Sequence, residues 1–271
     1  MIDEYRKIFV FIKKDFGILL TYRLAFSMSF FSILFNLFYL ILFGNMFGST
    51  QLESLSAYGG DFISYILIGS IGWGFLWSIM GATSASLTTE MLQGTLESIL
   101  LTSTRIITMM FAYTLFGCFF FFLSIGIMLF VGYFMFGISA FATANIFTLL
   151  IFILSATMMM GFGLMFGGLT IWLKDIGDTI PLIQNIVMFF CGVYFPITVL
   201  PALIRPISYF MPFYYSIEGL RLSLIPSTPI SQVLSYVLLL ILLSILFISL
   251  GIVVLHAGLR KAKKDGSLTF Y

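Results

Sequence analysis

Long apolar segments alternate with short polar ones along most of the chain. A helix that crosses a bilayer needs roughly 20 mostly apolar residues, and six segments fit. The predicted spans are Leu24–Phe47, Phe62–Leu87, Ile106–Phe136, Ile146–Leu173, Ile180–Leu200 and Val233–Leu255. The third is long enough to tilt, and the fifth has a proline near each end, where proline interrupts a helix. The pattern therefore predicts an all-α integral membrane protein with six transmembrane helices.

Residues 1–20 show a different pattern, in which apolar residues recur every three or four positions and charged residues lie between them. The apolar positions are Ile2, Tyr5, Ile8, Phe9, Ile12, Phe16 and Leu19. This spacing predicts an amphipathic helix that lies in the membrane interface before the first span. An ordinary basic tail that only sets the topology is the other interpretation.

A polar island separates the second and third predicted spans. Residues 90–104 are predicted to form one short helix, which is too polar to cross a membrane. Its apolar face would carry Leu92, Leu96, Ile99 and Leu100. Its polar face would carry Glu90, Gln93, Gly94 and Glu97. We expect this polar face to be exposed to a partner outside the membrane, and a solvated helix without a partner is the alternative.

Proline marks the region after the fifth predicted span. Six of the seven prolines fall between residues 196 and 229, in a stretch that is otherwise apolar. Apolar helices cut this often cannot span a bilayer, but they can enter one leaflet and return when protein covers the broken backbone. We therefore predict short re-entrant helices over residues 201–222, in the outer leaflet. Glu218 and Arg221 would form an exposed ion pair of little energetic weight.

Composition and charge agree with a membrane protein. Hydrophobic residues make up 61% of the chain and charged residues only 9%, which excludes a soluble domain. A net charge of +2 without a basic stripe argues against a nucleic-acid partner. Of the 13 basic residues, only Arg205 and Arg221 fall on one side of the predicted spans. The positive-inside rule then places both termini and the polar island in the cytoplasm, with the chain in the plasma membrane.

The predicted spans carry little reactive chemistry. They contain no paired carboxylates, nucleophile and base, or cluster of metal ligands, so we expect no catalytic, cofactor or metal site. The scarcity of charge in the spans also argues against an ion-coupled carrier. Gly163 and Gly167 form a GxxxG step that is predicted to pack within one subunit rather than between two. Polar side chains that could line a path are Asn36, Thr83, Gln184 and Asn185.

Two segments resemble the permease subunits of ABC-2 type ABC transporters. The sequence Glu-Met-Leu-Gln-Gly-Thr-Leu-Glu-Ser-Ile-Leu-Leu-Thr at 90–102 is similar to that family's acidic cytoplasmic helix between the second and third spans. The segment from Phe195 to Arg221 is similar to the family's segment after the fifth span. The family helix usually continues with Thr-Pro, whereas here Thr102 is followed by Ser103. The resemblance extends over nearly the whole chain.

The resemblance implies the permease subunit of a drug or lipid exporter. In that family the polar helix is a coupling helix that docks on a cytoplasmic ATPase. Contact with the ATPase is therefore expected at Glu90, Gln93, Gly94, Thr95 and Glu97. The complete transporter would contain two copies of the ATPase, which bind Mg-ATP. It would also contain a second permease chain, so that the permease forms a homodimer surrounded by membrane lipids.

The energy source is expected in another chain because the sequence has no P-loop; no glycine is followed by lysine. Within the same family, export of lipid-linked glycans is the alternative function. An ATP-independent channel or membrane scaffold is the alternative from a different class.

Overall fold

The computed structural model describes residues 2–47, 58, 62–102, 104–137, 141–173 and 179–264. These residues form ten α-helices and a 3-10 turn at Ile197–Val199, and no strand occurs among them. The helices are α1 (Ile2–Thr21), α2 (Arg23–Phe47), α3 (Phe62–Leu92), α4 (Leu96–Leu101), α5 (Ile106–Phe136), α6 (Ile146–Leu173), α7 (Thr179–Phe190), α8 (Arg205–Phe210), α9 (Pro212–Leu224) and α10 (Ile230–Lys264). The all-α prediction is confirmed.

Five helices in the described part of the chain are long and apolar enough to cross a membrane. Their apolar stretches cover Phe26–Gly44, Phe62–Leu92, Ile106–Met135, Ile146–Trp172 and Ile230–Ala262. They belong to α2, α3, α5, α6 and α10, and they coincide with five of the six predicted spans. Large apolar side chains are exposed along α2, α5 and α10, as expected where helices face lipid. The chain is therefore a multi-pass membrane protein.

The fifth predicted span is not one continuous helix, so the prediction of a helix over 180–200 is wrong. As described, α7 ends at Phe190, and the chain continues through turns and a 3-10 turn at Ile197–Val199. Gly192 has a φ of +69°, a left-handed conformation that ends the helix and that glycine adopts without strain. The 12 residues of α7 are about 18 Å long, against about 30 Å for the hydrocarbon core.

Glycines bring α6 and α10 into backbone contact. A Cβ atom on Gly161 would lie 2.6 Å from the Ile248 nitrogen, and one on Gly168 would lie 2.8 Å from the Leu255 Cα. Because both contacts advance in the same order along the two helices, α6 and α10 are parallel. The glycines that permit this approach are Gly161 and Gly168 of α6 and Gly251 and Gly258 of α10.

The predicted GxxxG step packs α6 against α3. A Cβ atom on Gly163 would lie 2.8 Å from Thr83 Cγ2, and one on Gly167 would lie 2.8 Å from Leu87 Cδ1. The prediction that this step packs within one subunit is confirmed. These contacts also make α3 parallel to α6 and α10, whereas α2 and α5 run antiparallel to α3.

The bundle has two distinct ends. At one, α1, α4 and the last turns of α10 surround the C-terminus of α3; we call this the α1 end. At the other, the nearly fully buried α9 packs against the first turns of α3, α6 and α10; we call this the α9 end. Residues 201–222 therefore contain short helices, as predicted, and their place in the outer leaflet stays a prediction.

Candidate functional site

The polar island folds as a helix end, a turn and a second short helix. In this turn, Gly94 has a φ of +67°. Its N–H donates to the Met91 carbonyl at 3.1 Å, while the Thr95 N–H donates to the Glu90 carbonyl at 3.0 Å. This pair of bonds is a Schellman motif, which ends α3 and lets α4 leave in a new direction. The prediction of one continuous helix over 90–104 is therefore wrong.

Glu90 lies beneath this turn, and its side chain is fully buried. The carboxylate accepts hydrogen bonds from Lys14 Nζ and Thr95 Oγ1, and from the Tyr113 hydroxyl at 2.6 Å. Lys14 Nζ also donates to the Tyr113 hydroxyl at 3.3 Å. A buried carboxylate requires such partners because burial removes its hydration. One side chain thus connects α3 to α1, α5 and the turn.

The prediction that Glu90 belongs to an exposed face is therefore wrong. It assumes one helix through the island, whereas the break at Gly94 leaves Glu90 in the last turn of α3, facing the bundle. Of the other predicted contact residues, Gln93, Gly94 and Thr95 are exposed around the turn. Glu97 belongs to α4, and its side chain lies outside the described part of the structure.

An apolar cluster joins α4 to the end of α10. Leu96 is 1% exposed and packs in the cluster that contains Leu87 of α3, Met109 of α5, and Leu259 and Ala262 of α10. The predicted apolar face of the island is only partly correct, since Leu92 is 58% exposed. Force applied to α4 would therefore reach α10 through packed side chains.

A second contact ties α1 to the start of α5. Thr108 Oγ1 donates to the Glu4 carboxylate at 2.7 Å, and Lys7 Nζ donates to it at 3.2 Å. These hydrogen bonds lower the pKa of Glu4. Burial, together with the nearby Glu90 carboxylate, raises the pKa of Asp15 to about 6. The positive charge of Lys14 acts in the opposite direction and lowers this pKa. The apolar positions Tyr5, Phe9 and Phe16 remain exposed on the opposite side of α1.

Lys14 and Tyr113 belong to this candidate site through their bonds to Glu90, and sequence reasoning missed both. From the sequence, Lys14 belongs with the charges that set topology, and Tyr113 belongs with an apolar span. The signal that could have revealed them is Glu90 itself, because an acidic residue at the end of a membrane span requires a donor nearby.

The four predicted path residues are not brought together. Thr83 is fully buried, and its hydroxyl lies 2.8 Å from that of Thr114, so in this conformation it faces no opening. Gln184 and Asn185 lie on α7, where Asn185 is exposed. Asn36 alone lines a cleft, between α2, α3 and α5.

The predicted pair of Glu218 and Arg221 is buried rather than exposed, which corrects the prediction. The two charged groups are 3.7 Å apart, and Arg221 is 2% exposed. The Arg221 guanidinium donates to the Val193 carbonyl at 2.8 Å and lies 3.7 Å from the centre of the Tyr65 ring. The Tyr58 hydroxyl donates to Glu218 at 2.6 Å. This network fixes α9 against α3 and against the turn after α7.

Comparison with known proteins places the chain in a family. Residues 8–225 match the family model described as ABC-2 type transporter, and no curated protein matches the chain. The chain belongs to the ABC-2 type transporter family. An ABC-2 membrane domain is a transport permease of an ABC transporter. Among the described residues of this permease, no group of three or more His, Cys, Asp or Glu could hold a metal ion.

Proposed function

We propose that this permease exports a hydrophobic or amphipathic molecule, a drug or a lipid, from the cytoplasm or the inner leaflet. The family match supports transport by an ABC system. The preference for an apolar substrate rests on the helices themselves, which contain few hydrogen-bonding groups to replace the water of a hydrophilic polymer. Export rather than import rests on the resemblance to exporters.

The energy would come from a separate cytoplasmic ATPase that binds Mg-ATP. Two copies of this ATPase would bind to a dimer of the permease. Support comes from the exposed turn at 93–95, which offers a docking surface that no other contact in the described chain covers. The lack of a Gly-Lys pair means that this chain contains no P-loop of its own.

One observation carries the proposed coupling: the exposed turn rests on a buried carboxylate that is bonded to other helices. Movement of α4 would displace Thr95, and Thr95 shares Glu90 with Lys14 of α1 and Tyr113 of α5. Leu96 would pass the same movement to the end of α10. Docking at one turn would therefore act on four helices, since α3 ends there as well.

The proposed topology has six crossings with both termini in the cytoplasm. Its support is the parallel packing of α6 and α10. Because these two helices run in the same direction, residues 174–229 must return from the α1 end to the α9 end. We infer that α7, continued by the turns and the 3-10 turn of residues 191–200, makes this return, with the buried α9 covering its broken backbone.

Docking can be tested with charge reversal at the turn. Glu97→Arg, in α4 next to the turn, should leave the permease inserted and dimeric, but it should reduce co-purification of the cognate ATPase, because Glu97 is a predicted ATPase contact and the substitution reverses its charge. Ser227→Arg, at the exposed α9 end, is the matched control and should leave association unchanged. Equal ATPase recovery with both variants would contradict docking at this turn.

The substrate class can be tested with the complete transporter in liposomes. We expect hydrophobic drugs or lipids to raise the ATPase rate more than lipid-linked glycans do. Stimulation by lipid-linked glycans alone would assign the permease to glycan export. A substrate flux that continues without ATP would instead favour a channel.

A further inference from the structure

A cleft with unpartnered polar groups lies between α2, α3 and α5, and Tyr194 of the segment after α7 also lines it. It has a volume of about 310 Å³, and none of the described residues that line it is charged. That volume falls at the lower end of the range for small-molecule sites, about 300 to 1,000 Å³. Apolar side chains form most of the wall, including Ile71, Phe121 and Met128.

Several polar groups at this wall have no hydrogen-bond partner in the described part of the protein. Trp73 is 6% exposed, and its indole N–H is unpaired but is itself buried, so the polar groups open to the cleft are those of α2. Ser32 and Asn36 lie one turn apart on the same face of α2, both are exposed, and neither makes a hydrogen bond to a described residue. Unpaired groups of this kind are costly inside a membrane, because lipid chains cannot hydrogen-bond to them.

Two further serines on the wall behave differently. The hydroxyls of Ser70 and Ser124 donate to carbonyls of their own helices, at 3.0 and 2.8 Å. This is the usual way in which a serine is satisfied in a membrane helix, and it leaves their oxygens able to accept. The cleft therefore offers both donors and acceptors to an occupant.

The depth of the cleft restricts the occupant. Asn36, Ser70 and Ser124 lie about 12 to 18 Å along their helices from the ends at the α9 end, which is near the middle of a hydrocarbon core about 30 Å thick. Charged phospholipid headgroups do not reside at that depth. We propose that the cleft binds one neutral amphipathic small molecule with an apolar body and a hydrogen-bonding group such as an amide or hydroxyl.

A role of this cleft in export rests on the proposed function. Binding of a small molecule to the cleft does not depend on that proposal. Binding can be tested on the full permease in nanodiscs without the ATPase. The probe is a photoreactive N-hexyl benzophenone carboxamide, and the labelled peptides are mapped by mass spectrometry. We expect label around residues 32–36, 70–74 and 121–128. N-hexylbenzamide should compete for it, whereas hexylbenzene, which lacks the amide, should not.

Matched variants separate the cleft from the general lipid surface. Asn36→Leu should lower labelling about fivefold, the effect of losing one hydrogen bond. Ser249→Leu, a polar position on the exposed face of α10, should leave labelling unchanged. Label spread evenly over the exposed helices would overturn the proposal. Equal competition from hexylbenzene would also overturn it, because it would indicate that the cleft holds a lipid acyl chain. A structure of the dimer in which the second permease chain covers the cleft would overturn it as well.

The binding assay and the ATPase assay can fail independently. Drug-stimulated ATPase activity without label in the cleft would overturn the cleft as a binding site and leave export supported. Label in the cleft without any stimulation of the ATPase would support the site and count against the proposed export.

Discussion

The Glu90 carboxylate accepts hydrogen bonds from three parts of the chain: Lys14 of α1, Tyr113 of α5 and Thr95 of the turn. Each donor is far from the others in sequence, so the arrangement exists only in the folded bundle. Glu90 is 1% exposed whereas Lys14 is 37% exposed. The bond thus joins a buried anion to a cation that is still partly exposed.

Removing the cation should weaken this joint. We expect Lys14→Met to lower the free energy of unfolding by about 1 to 3 kcal/mol, because the buried Glu90 loses a charged donor while Lys14 is partly solvated already. Lys13→Met, at the exposed neighbouring position, is the control and should have little effect. Thermal unfolding in detergent would measure both, and equal melting temperatures would contradict the joint.

Asp15 should make stability depend on pH. Its folded pKa of about 6 lies above its ordinary value of 3.8, so its contribution is most favourable below pH 4 and is lost as the pH rises through 6. Asp15→Asn should therefore raise the melting temperature relative to the wild type more at pH 7.5 than at pH 5.

Glu4→Gln provides the control of opposite sign. The pKa of Glu4 is lowered, so its stabilising contribution is present at both pH 5 and pH 7.5 and is lost only at lower pH. Its effect on the melting temperature should be the same at both values. A similar pH dependence in the two variants would show that Asp15 is not the group that titrates.

At the scale of single residues, sequence reasoning locates the charges but not their surroundings. A helical projection assigns Glu90 to the exposed face, because nothing local shows that Gly94 adopts a left-handed conformation. Sequence alone also predicts Arg221 at the surface, since its partners Tyr65 and Val193 are far away along the chain. Burial of a charge is decided by such distant contacts, whereas the exposure of Gln93 follows from its place in the turn.

At the scale of elements, apolar length is sufficient to predict five membrane helices. That property is local, so it can be recognised without knowing what packs against each helix. The end of α7 at Phe190 could not be recognised in the same way, because the residues that follow are equally apolar. It depends on the φ of Gly192 and on the contact of the following turn with Arg221.

Glycine contacts between helices give a direct test of element packing. Gly161→Ala should lower the free energy of unfolding by about 1 to 3 kcal/mol, because its methyl group would meet the α10 backbone. Gly126→Ala is the control: apart from the adjoining backbone of α5, no atom of the described structure lies within 4 Å of the added carbon, and alanine should stabilise α5 by up to about 1 kcal/mol. Unfolding in detergent would distinguish them, and a stabilised Gly161→Ala would contradict the packing.

For the whole molecule, the two termini of the described helical bundle lie at the same end. α1 and the last turns of α10 both pack around the end of α3. The distribution of basic residues predicts that this end faces the cytoplasm. The orientation stays a prediction from the charge of short loops, whereas the parallel direction of α6 and α10 required the structure.

Cysteine labelling tests the orientation. In a background of Cys118→Ala and Cys191→Ala, we expect Ala142→Cys and Ser227→Cys to react with an impermeant thiol reagent in intact cells, because both positions are exposed at the α9 end. Ser98→Cys, exposed on α4, should react only after permeabilisation. External labelling of Ser98→Cys would place the turn outside the cell and contradict the proposed coupling.

The close pairing of α6 with α10 also bears on how the chain is made. The helix that carries Gly161 and Gly168 ends at Leu173, whereas its partner begins only at Ile230. During synthesis, the glycine-lined face of α6 therefore stays without its partner until α10 emerges from the ribosome. Completion of the bundle therefore requires synthesis to proceed through α10, and a nascent chain that stops before Ile230 would leave this face of α6 without its partner helix.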